Sequence, residues 1–230
     1  MTPEDLRAAT ERFVAETVLP AVDAWDRADD LPAEALARLV EIGLAGALVP
    51  REYGGAGFGV ADLVPSWRAL SRGWISLTGA VNPTGLATAL LVRHGTEAQR
   101  RRWLPGIARG DSLASFSITE PQAGSDLARI ETSARPLAGG GLVLDGEKRW
   151  VAGGVTSQVV FMMVAAEGSD RPSCAILPTG RRGAASWRVE ELDKVGYRGV
   201  ESAGYRFEGH ESPGAEILGG EKGEGRGAAL

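Results

Sequence analysis

The hydrophobic positions of the first hundred residues recur every three or four residues, which is the spacing of one face of a helix. Thr2 and Asp5 have the spacing of a capping box, and Pro3 suits a first helical turn. The pattern predicts a helix near the N-terminus, in which Leu6, Phe13, Val14, Val18 and Leu19 form the apolar stripe. It also predicts a helix between Pro32 and Gly43, and helices over about 60–71, 86–94 and 97–108.

Near residue 112 the pattern changes to short apolar or alternating runs separated by Gly, Pro and Asp. These runs cover 115–119, 142–144, 159–165, 175–177, 187–190 and 203–207. Their spacing is typical of strands in an antiparallel sheet. We therefore predict an α+β fold, with an all-helical N-terminal domain (1–111) followed by an antiparallel β-barrel or β-sandwich domain (112–218). A glycine-rich linker or tail is predicted over 219–230. The order of elements disfavours a Rossmann fold.

Composition narrows the function classes. The chain has 230 residues, a net charge of −5, one cysteine and two histidines. The negative charge argues against nucleic acid and anionic membranes as partners. A single cysteine excludes an internal disulfide and a cysteine-built metal cluster, and we expect no metal site. We expect no membrane span, because no uninterrupted apolar run reaches about 18 residues. The acidic N-terminus is unlike a signal peptide, so the expected location is the cytoplasm.

One glycine-rich segment, over 54–59, invites comparison with a phosphate-binding loop. It lacks the G-x-G-x-x-G register, because position 60 is valine, and it follows a helix rather than a clear strand. We interpret it as a tight turn between helices.

The stretch over 116–126 combines an apolar strand with a turn of small residues. Pro121 stops the strand, and the small residues Ala123, Gly124 and Ser125 allow the backbone to approach a bulky group closely. Free N–H groups in such a turn can hold an anion, and the hydroxyls of Thr119 and Ser125 add donors. From these residues alone, a capped turn and a ligand cradle are equally good interpretations.

A second stretch covers 144–154. Asp145-Gly146 is a strong hairpin signal. Trp150 is a large planar side chain shortly before two glycines, Gly153 and Gly154. A tryptophan in the core is the ordinary interpretation of such a residue, and a planar cofactor packed on its ring is the alternative.

Together these stretches resemble the acyl-CoA dehydrogenase superfamily of flavoproteins. Residues 119–126 (Thr-Glu-Pro-Gln-Ala-Gly-Ser-Asp) are similar to its flavin-binding signature, and 145–150 (Asp-Gly-Glu-Lys-Arg-Trp) to its second flavin strand. Four further segments agree in order along nearly the whole chain: 50–55, 95–110, 194–198 and 217–219.

The resemblance implies a specific fold and chemistry. The family has an N-terminal helical domain, a middle β domain and a C-terminal helical bundle, with FAD between the last two. A carboxylate removes the α proton of an acyl thioester, and the β hydride passes to flavin N5. By resemblance Phe116, Ile118 and Thr119 lie along the isoalloxazine edge. Gly124 and Ser125 lie near the flavin and the thioester, which makes Ser125 a candidate substrate contact. The remaining candidate cofactor residues are Trp150, over one face of the ring, with Val151 and Ala152.

Ala152 departs from the family pattern. The family usually has a hydroxyl residue here that bonds flavin N5, and alanine has none to donate. The loss of one neutral hydrogen bond is worth about 0.5–1.5 kcal/mol. The backbone N–H of Ala152 and the hydroxyl of Thr156 are the two candidates to replace it.

The C-terminal bundle that carries the family's catalytic glutamate is not represented in these 230 residues. We interpret Glu120 as a residue that stabilises its turn, and Glu201 as a weaker candidate for a base, so no catalytic residue is assigned. We expect the N-terminal half of a split flavoenzyme that desaturates an acyl thioester, carried by coenzyme A or a carrier protein. A C-terminal-half partner would supply the base, and an electron-transfer flavoprotein is a candidate electron acceptor.

Two other functions fit the same motifs. One is a non-catalytic subunit that binds a partner or an acyl carrier, which the alanine at 152 and the lack of a base favour. The other keeps the fold and changes the chemistry, as in the flavin monooxygenases and nitroalkane oxidases of the superfamily. The signature reports flavin binding more than substrate, so it does not separate these.

Overall fold

The computed structural model describes residues 1–169 and 171–220. The chain divides into two compact units. The helical unit comprises Met1–Ala89, Arg101–Leu113 and Asp193–Val200, and the sheet unit comprises Leu90–Arg100, Ala114–Leu192 and the described residues from Glu201 onward. From residue 221 onward the predicted linker lies outside the described residues.

Six α-helices lie in the described part of the N-terminal half. They are α1 (Pro3–Phe13), α2 (Leu19–Ala28), α3 (Ala33–Ile42), α4 (Val60–Gly73), α5 (Ile75–His94) and α6 (Glu97–Arg109), with a π-helical stretch, Val14–Val18, between α1 and α2. The predicted capping box is present: Asp5 N donates to Thr2 Oγ1 at 3.1 Å, and Thr2 N donates to Asp5 Oδ2 at 2.8 Å. Gly43 ends α3 with φ 97°, as its position predicts.

Helix α5 begins at Ile75, before the start predicted near residue 86. Its first half mixes Ser, Thr, Asn, Gly and Pro83 with apolar residues, so no single apolar stripe marks it. By length and composition α5 is apolar enough to cross a membrane, but half of its apolar window is buried inside the fold. A buried helix of a protein core passes the same test, so this is weak evidence for a span.

The core of the helical unit contains residues of α1, α3, α4 and α5 and the π-helical stretch. Its members include Leu6, Phe13, Val18, Leu39, Leu63, Leu70, Trp74 and Leu77. Segment Asp193–Val200 completes this unit. Gly199 N donates to Asp29 Oδ1 at 2.7 Å, and Ser76 Oγ donates to the carbonyl of Arg198. Gly199 has φ +79°, and its Cα faces the Trp74 ring so closely that a Cβ would lie 2.2 Å from it.

The sheet unit carries eight strands among the described residues. They are β1 (Ala114–Ser117), β2 (Ser133–Pro136), β3 (Leu142–Ala152), β4 (Val159–Ala166), β5 (Ser173–Pro178), β6 (Trp187–Glu191), β7 (Ser202–Ser212) and β8 (Glu216–Ile217). The sheet order is β6-β7-β3-β2-β4-β5-β8, and β1 pairs with β4. The pairs β1–β4 and β2–β4 are parallel and the other described pairs are antiparallel.

The predicted fold class, helices followed by a mostly antiparallel sheet domain, is confirmed. In the described chain the order runs from β6 to β8 without closing, so the sheet is not a closed barrel. The sequence did not predict β2 or β8, which are short. The sheet core includes Leu144, Val151, Val160, Met162, Leu177, Trp187, Tyr205 and Phe207.

Candidate functional site

Strand β1 has an inverted polarity pattern. Its side chains alternate between two faces. Ser115 and Ser117 are buried, whereas Phe116, and Ile118 just beyond the strand, are partly exposed. An apolar strand normally buries its large side chains and exposes its hydroxyls. This strand leaves two apolar side chains available at the surface of the sheet unit.

Residues 119–126 form a tight turn directly after β1. Glu120 N donates to Ala123 O at 2.9 Å, and Ala123 N donates to Glu120 O at 3.2 Å. Gly124 and Ser125 are exposed, and a Cβ placed on Gly124 would meet nothing within 4 Å. Thr119 is partly exposed beside them. Two backbone hydrogen bonds therefore join Glu120 and Ala123, whereas Gly124 and Ser125 are exposed to solvent.

Glu120 and Lys148 form a buried ion pair behind this turn. Lys148 Nζ lies 2.6 Å from Glu120 Oε1, and both side chains have 1% exposure or less. Burial opposes ionisation of Glu120, but the Lys148 ammonium and the N–H of Glu131 hold the pKa of Glu120 below its ordinary value. Burial lowers the pKa of Lys148 to about 8, and Glu120 offsets part of that effect. The interpretation of Glu120 as a turn-stabilising residue agrees with this geometry.

Trp150 lies on the surface. Its side chain is 55% exposed and its backbone has φ +61°, in the left-handed region. The β3–β7 register shifts between Lys148 and Val151, so Trp150 sits in an irregularity of the ladder, a place where proteins redirect a side chain. Of the two interpretations of Trp150, a core residue is wrong, and an indole free to pack on a planar group fits.

Val151 and Ala152 follow with different exposures. The Val151 side chain is fully buried in the sheet core, so only its backbone can reach a ligand. Ala152 is partly exposed and pairs with Ser202 of β7.

The loop over 153–157 is held by Glu201, Tyr205 and Arg182. Glu201 Oε1 accepts hydrogen bonds from Thr156 N at 2.8 Å and Thr156 Oγ1 at 2.5 Å. Tyr205 Oη donates to Gly154 O at 2.5 Å, and burial raises the pKa of Tyr205 to about 12. Arg182 donates to the carbonyls of Val155 and Ser157. The Thr156 hydroxyl is thus already engaged, which leaves the Ala152 N–H as the better replacement for the absent hydroxyl.

The structure brings the two predicted stretches side by side. Arg149 N donates to Thr119 O at 2.8 Å, and Lys148 Nζ donates to Ile118 O at 3.0 Å. The candidate cofactor residues that are at least partly exposed in these two stretches are Phe116, Ile118, Thr119, Gly124, Ser125, Trp150 and Ala152, and we call them the candidate flavin surface. Sequence reasoning gave no role to Lys148, Arg182 or Tyr205. Lys148 lies between Glu147 and Arg149, so the local pattern of charged residues gave no sign that its side chain is buried.

Comparisons with known proteins agree with this fold. Residues 2–111 match the model of "Acyl-CoA dehydrogenase, N-terminal domain", and residues 115–210 match "Acyl-CoA dehydrogenase, middle domain". A (2S)-methylsuccinyl-CoA dehydrogenase of Cereibacter sphaeroides is 30% identical over 241 residues, which covers 96% of this chain and 42% of the relative.

Two solved structures illustrate the similarity. A glutaryl-coenzyme A dehydrogenase in complex with glutaryl-CoA superposes with a TM-score of 0.88 at 26% identity, covering 99% of this chain and 58% of that one. An acyl-CoA dehydrogenase of Bacillus anthracis, complexed with FAD, gives 0.83 at 28% identity, covering 100% and 40%. The chain thus spans about half the length of the relatives it matches.

Proposed function

Because this chain belongs to the acyl-CoA dehydrogenase superfamily, of which it carries the N-terminal and middle domains, we propose that it takes part in FAD-dependent α,β-desaturation of an acyl thioester. The observation that carries the proposal is the apolar surface of the sheet unit. Phe116 and Ile118 are partly exposed where serines would be expected, and Trp150, which follows the residue bonded to Thr119, is exposed as well.

The residues of this surface fit a flavin. An exposed indole suits stacking with a planar ring, and the open turn at Gly124 lets a bulky group come close. In this proposal Trp150 covers one face of the ring, and Phe116, Ile118 and Thr119 lie along its edge. Gly124 and Ser125 lie near the thioester, and the backbone at Val151 and Ala152 faces the ring. FAD, when bound, supplies the acceptor for the β hydride.

The proton-transfer half of the reaction needs a carboxylate within hydrogen-bond reach of the α carbon. The two carboxylates considered as a base, Glu120 and Glu201, are both engaged. Glu120 pairs with Lys148 and accepts two backbone N–H groups, and Glu201 accepts two hydrogen bonds from Thr156. We therefore propose that the base comes from a helical region outside these residues, and that a separate C-terminal-half protein supplies it.

A non-catalytic binding subunit is the second candidate function. It is favoured by the same engaged carboxylates and by Ala152, which has no hydroxyl to place beside the flavin. The two candidates differ in one property: a catalytic subunit contributes to a flavin that an acyl thioester reduces, and a binding subunit does not.

The test begins with flavin binding. The chain is purified alone and after co-expression with a candidate C-terminal-half protein, and FAD affinity is measured by flavin fluorescence. Trp150→Ala is expected to weaken FAD binding about tenfold, the loss of one stacked aromatic contact. Tyr197→Ala is the matched control, because Tyr197 is also an exposed aromatic residue at φ +61° but belongs to the helical unit.

The second stage separates the two functions. A yellow complex whose flavin absorption bleaches anaerobically with an acyl thioester supports the dehydrogenase. A complex that co-purifies without flavin supports the binding subunit. If the wild-type chain binds no FAD with any partner, the proposed dehydrogenase function is wrong.

We also propose a cytoplasmic location and transfer of electrons to an electron-transfer flavoprotein. Reoxidation of the reduced complex by a purified electron-transfer flavoprotein tests the second statement directly. A flavin that stays bleached after the electron-transfer flavoprotein is added would contradict this proposal.

A further inference from the structure

The buried ion pair of Glu120 and Lys148 connects four segments of the sheet unit. Glu120 Oε1 accepts from Lys148 Nζ at 2.6 Å and from Thr132 N at 3.1 Å. Its Oε2 accepts from Glu131 N at 2.8 Å and from Gln122 Nε2 at 2.5 Å. The end of β1, the turn, the segment before β2 and strand β3 all meet at these two side chains.

Stability is a poor account of such a pair. Removing two charges from water costs several kcal/mol per ion, and replacing a buried pair with apolar side chains is often neutral or stabilising. The pair instead fixes the relative positions of the segments around it, because each Glu120 oxygen and the Lys148 ammonium has more than one hydrogen-bond partner.

The pair stands between the two halves of the candidate flavin surface. Lys148 Nζ holds the carbonyl of Ile118, which precedes the turn, at 3.0 Å. Along β3, Lys148 is two residues before Trp150, and the register shift begins at Lys148. The Lys148 side chain and the Arg149 N–Thr119 O hydrogen bond therefore join the part of β3 just before Trp150 to the start of the turn.

We infer that Glu120 and Lys148 are positioning residues that hold the turn over 119–126 in register with Trp150, so that the flavin surface is formed before the cofactor arrives. This inference rests on the proposed function in that it takes the surface to be the flavin site. Neither side chain touches the surface, since both are fully buried. A preformed site binds more tightly because less ordering remains to be done on binding.

The decisive variant is the double substitution Glu120→Gln with Lys148→Met. Each single substitution leaves one buried polar group or charge without its partner and is expected to lower the thermal midpoint strongly. The double variant removes both charges, so it is expected to regain a thermal midpoint close to the wild type. Arg188→Met with Glu208→Gln is the matched control, an exposed pair at 2.9 Å within the same sheet.

Two readouts separate positioning from stability. In the chain without flavin, amide hydrogen exchange at Glu131, Thr132 and Arg149 is expected to accelerate about tenfold in the double variant. FAD binding is expected to weaken about tenfold while the thermal midpoint is retained. The control pair is expected to change neither quantity.

Three results would overturn the inference. The first is a double variant that regains both wild-type exchange and wild-type FAD affinity. The second is loss of folding in the double variant, which would make the pair a requirement of the whole sheet. The third is equal effects in the control pair. If the wild-type chain binds no FAD, the proposed function fails, and the exchange measurement still decides whether the pair positions the turn.

Discussion

Trp150 shows how one residue can combine strain and function. A non-glycine residue at φ +61° destabilises the folded chain by about 1–2 kcal/mol. Trp150 adopts this conformation and is more than half exposed. The backbone conformation turns the side chain away from the sheet core. Strain of this kind is concentrated at ligand sites.

The strain at Trp150 can be measured with two substitutions that both remove the indole. Trp150→Gly is expected to be more stable than Trp150→Ala by about 1 kcal/mol, because only glycine adopts positive φ without a penalty. Urea unfolding of the sheet unit gives the difference. Equal stabilities would mean that the left-handed conformation carries no strain, while FAD binding should fall equally in both variants.

Ala152 offers a gain-of-function test. Ala152→Ser adds a hydroxyl beside the proposed flavin N5, and FAD binding is expected to tighten by about 2- to 10-fold, the value of one neutral hydrogen bond. Fluorescence titration with FAD measures the change. Ala152→Val adds volume without a donor and should weaken binding or leave it unchanged. Tighter binding by the valine variant would assign the effect to packing instead.

At this scale the sequence identified the motif residues but not their orientations. The conformation of Trp150 depends on a register shift between two strands that are distant in sequence, and no local pattern records it. Thr156 looked free in the sequence, yet it is bonded to Glu201, 45 residues later.

At the scale of elements, the alternation along β1 carries the most information. Hydrophobic patterning would bury Phe116 and Ile118, and the structure buries Ser115 and Ser117. Strand β2 was missed because its four residues, Ser133–Pro136, contain a single buried side chain, Ala134. The capping box of α1 and the glycine at the end of α3 were predicted because both are local hydrogen-bonding devices.

Within the sheet unit, the Gln99 side chain is hydrogen-bonded to the segment around β8. Gln99 is 2% exposed, donates to Ile217 O at 2.8 Å and Glu216 Oε2 at 3.0 Å, and accepts from Gly219 N at 2.9 Å. Gln99→Ala leaves the Gly219 N–H and the Ile217 carbonyl without this partner. The free energy of unfolding of the sheet unit is therefore expected to fall by about 2 kcal/mol.

Thiol labelling of Cys174 measures that loss, because Cys174 is fully buried and its carbonyl accepts from Leu218 N beside β8. Labelling is expected to accelerate in Gln99→Ala. Gln158→Ala is the control: Gln158 is exposed, and its change should stay within about 0.5 kcal/mol. Unchanged labelling in both variants would show that Gln99 does not hold β8.

For the whole molecule, the sequence predicted the order of helices and strands but not the path of the chain. The division at residue 111 stays a prediction. The return of Asp193–Val200 to the helical unit could not be foreseen, because its contacts are with Asp29 and Trp74, more than a hundred residues away.

Gly199 tests this return. Gly199→Ala places a Cβ 2.2 Å from the Trp74 ring, on a residue whose φ is +79°. The free energy of unfolding of the helical unit is therefore expected to fall by about 3 kcal/mol. Thermal unfolding followed by tryptophan fluorescence measures it. Gly196→Ala is the matched control, since a Cβ there meets nothing within 4 Å. A helical unit unaffected by Gly199→Ala would mean that the segment is not part of its packing.

The return of that segment also sets an order in time. A ribosome releases the chain from its N-terminus, so all six helices have been made before residue 193 exists. Until Gly199 has been made, the backbone that packs against the Trp74 ring is missing, and Asp29 lacks the hydrogen bond from Gly199 N. At ordinary synthesis speeds the interval from residue 113 to residue 200 lasts roughly 4–17 s. The helical unit therefore completes its packing only after Asp193–Val200 has been translated, which is after most of the sheet.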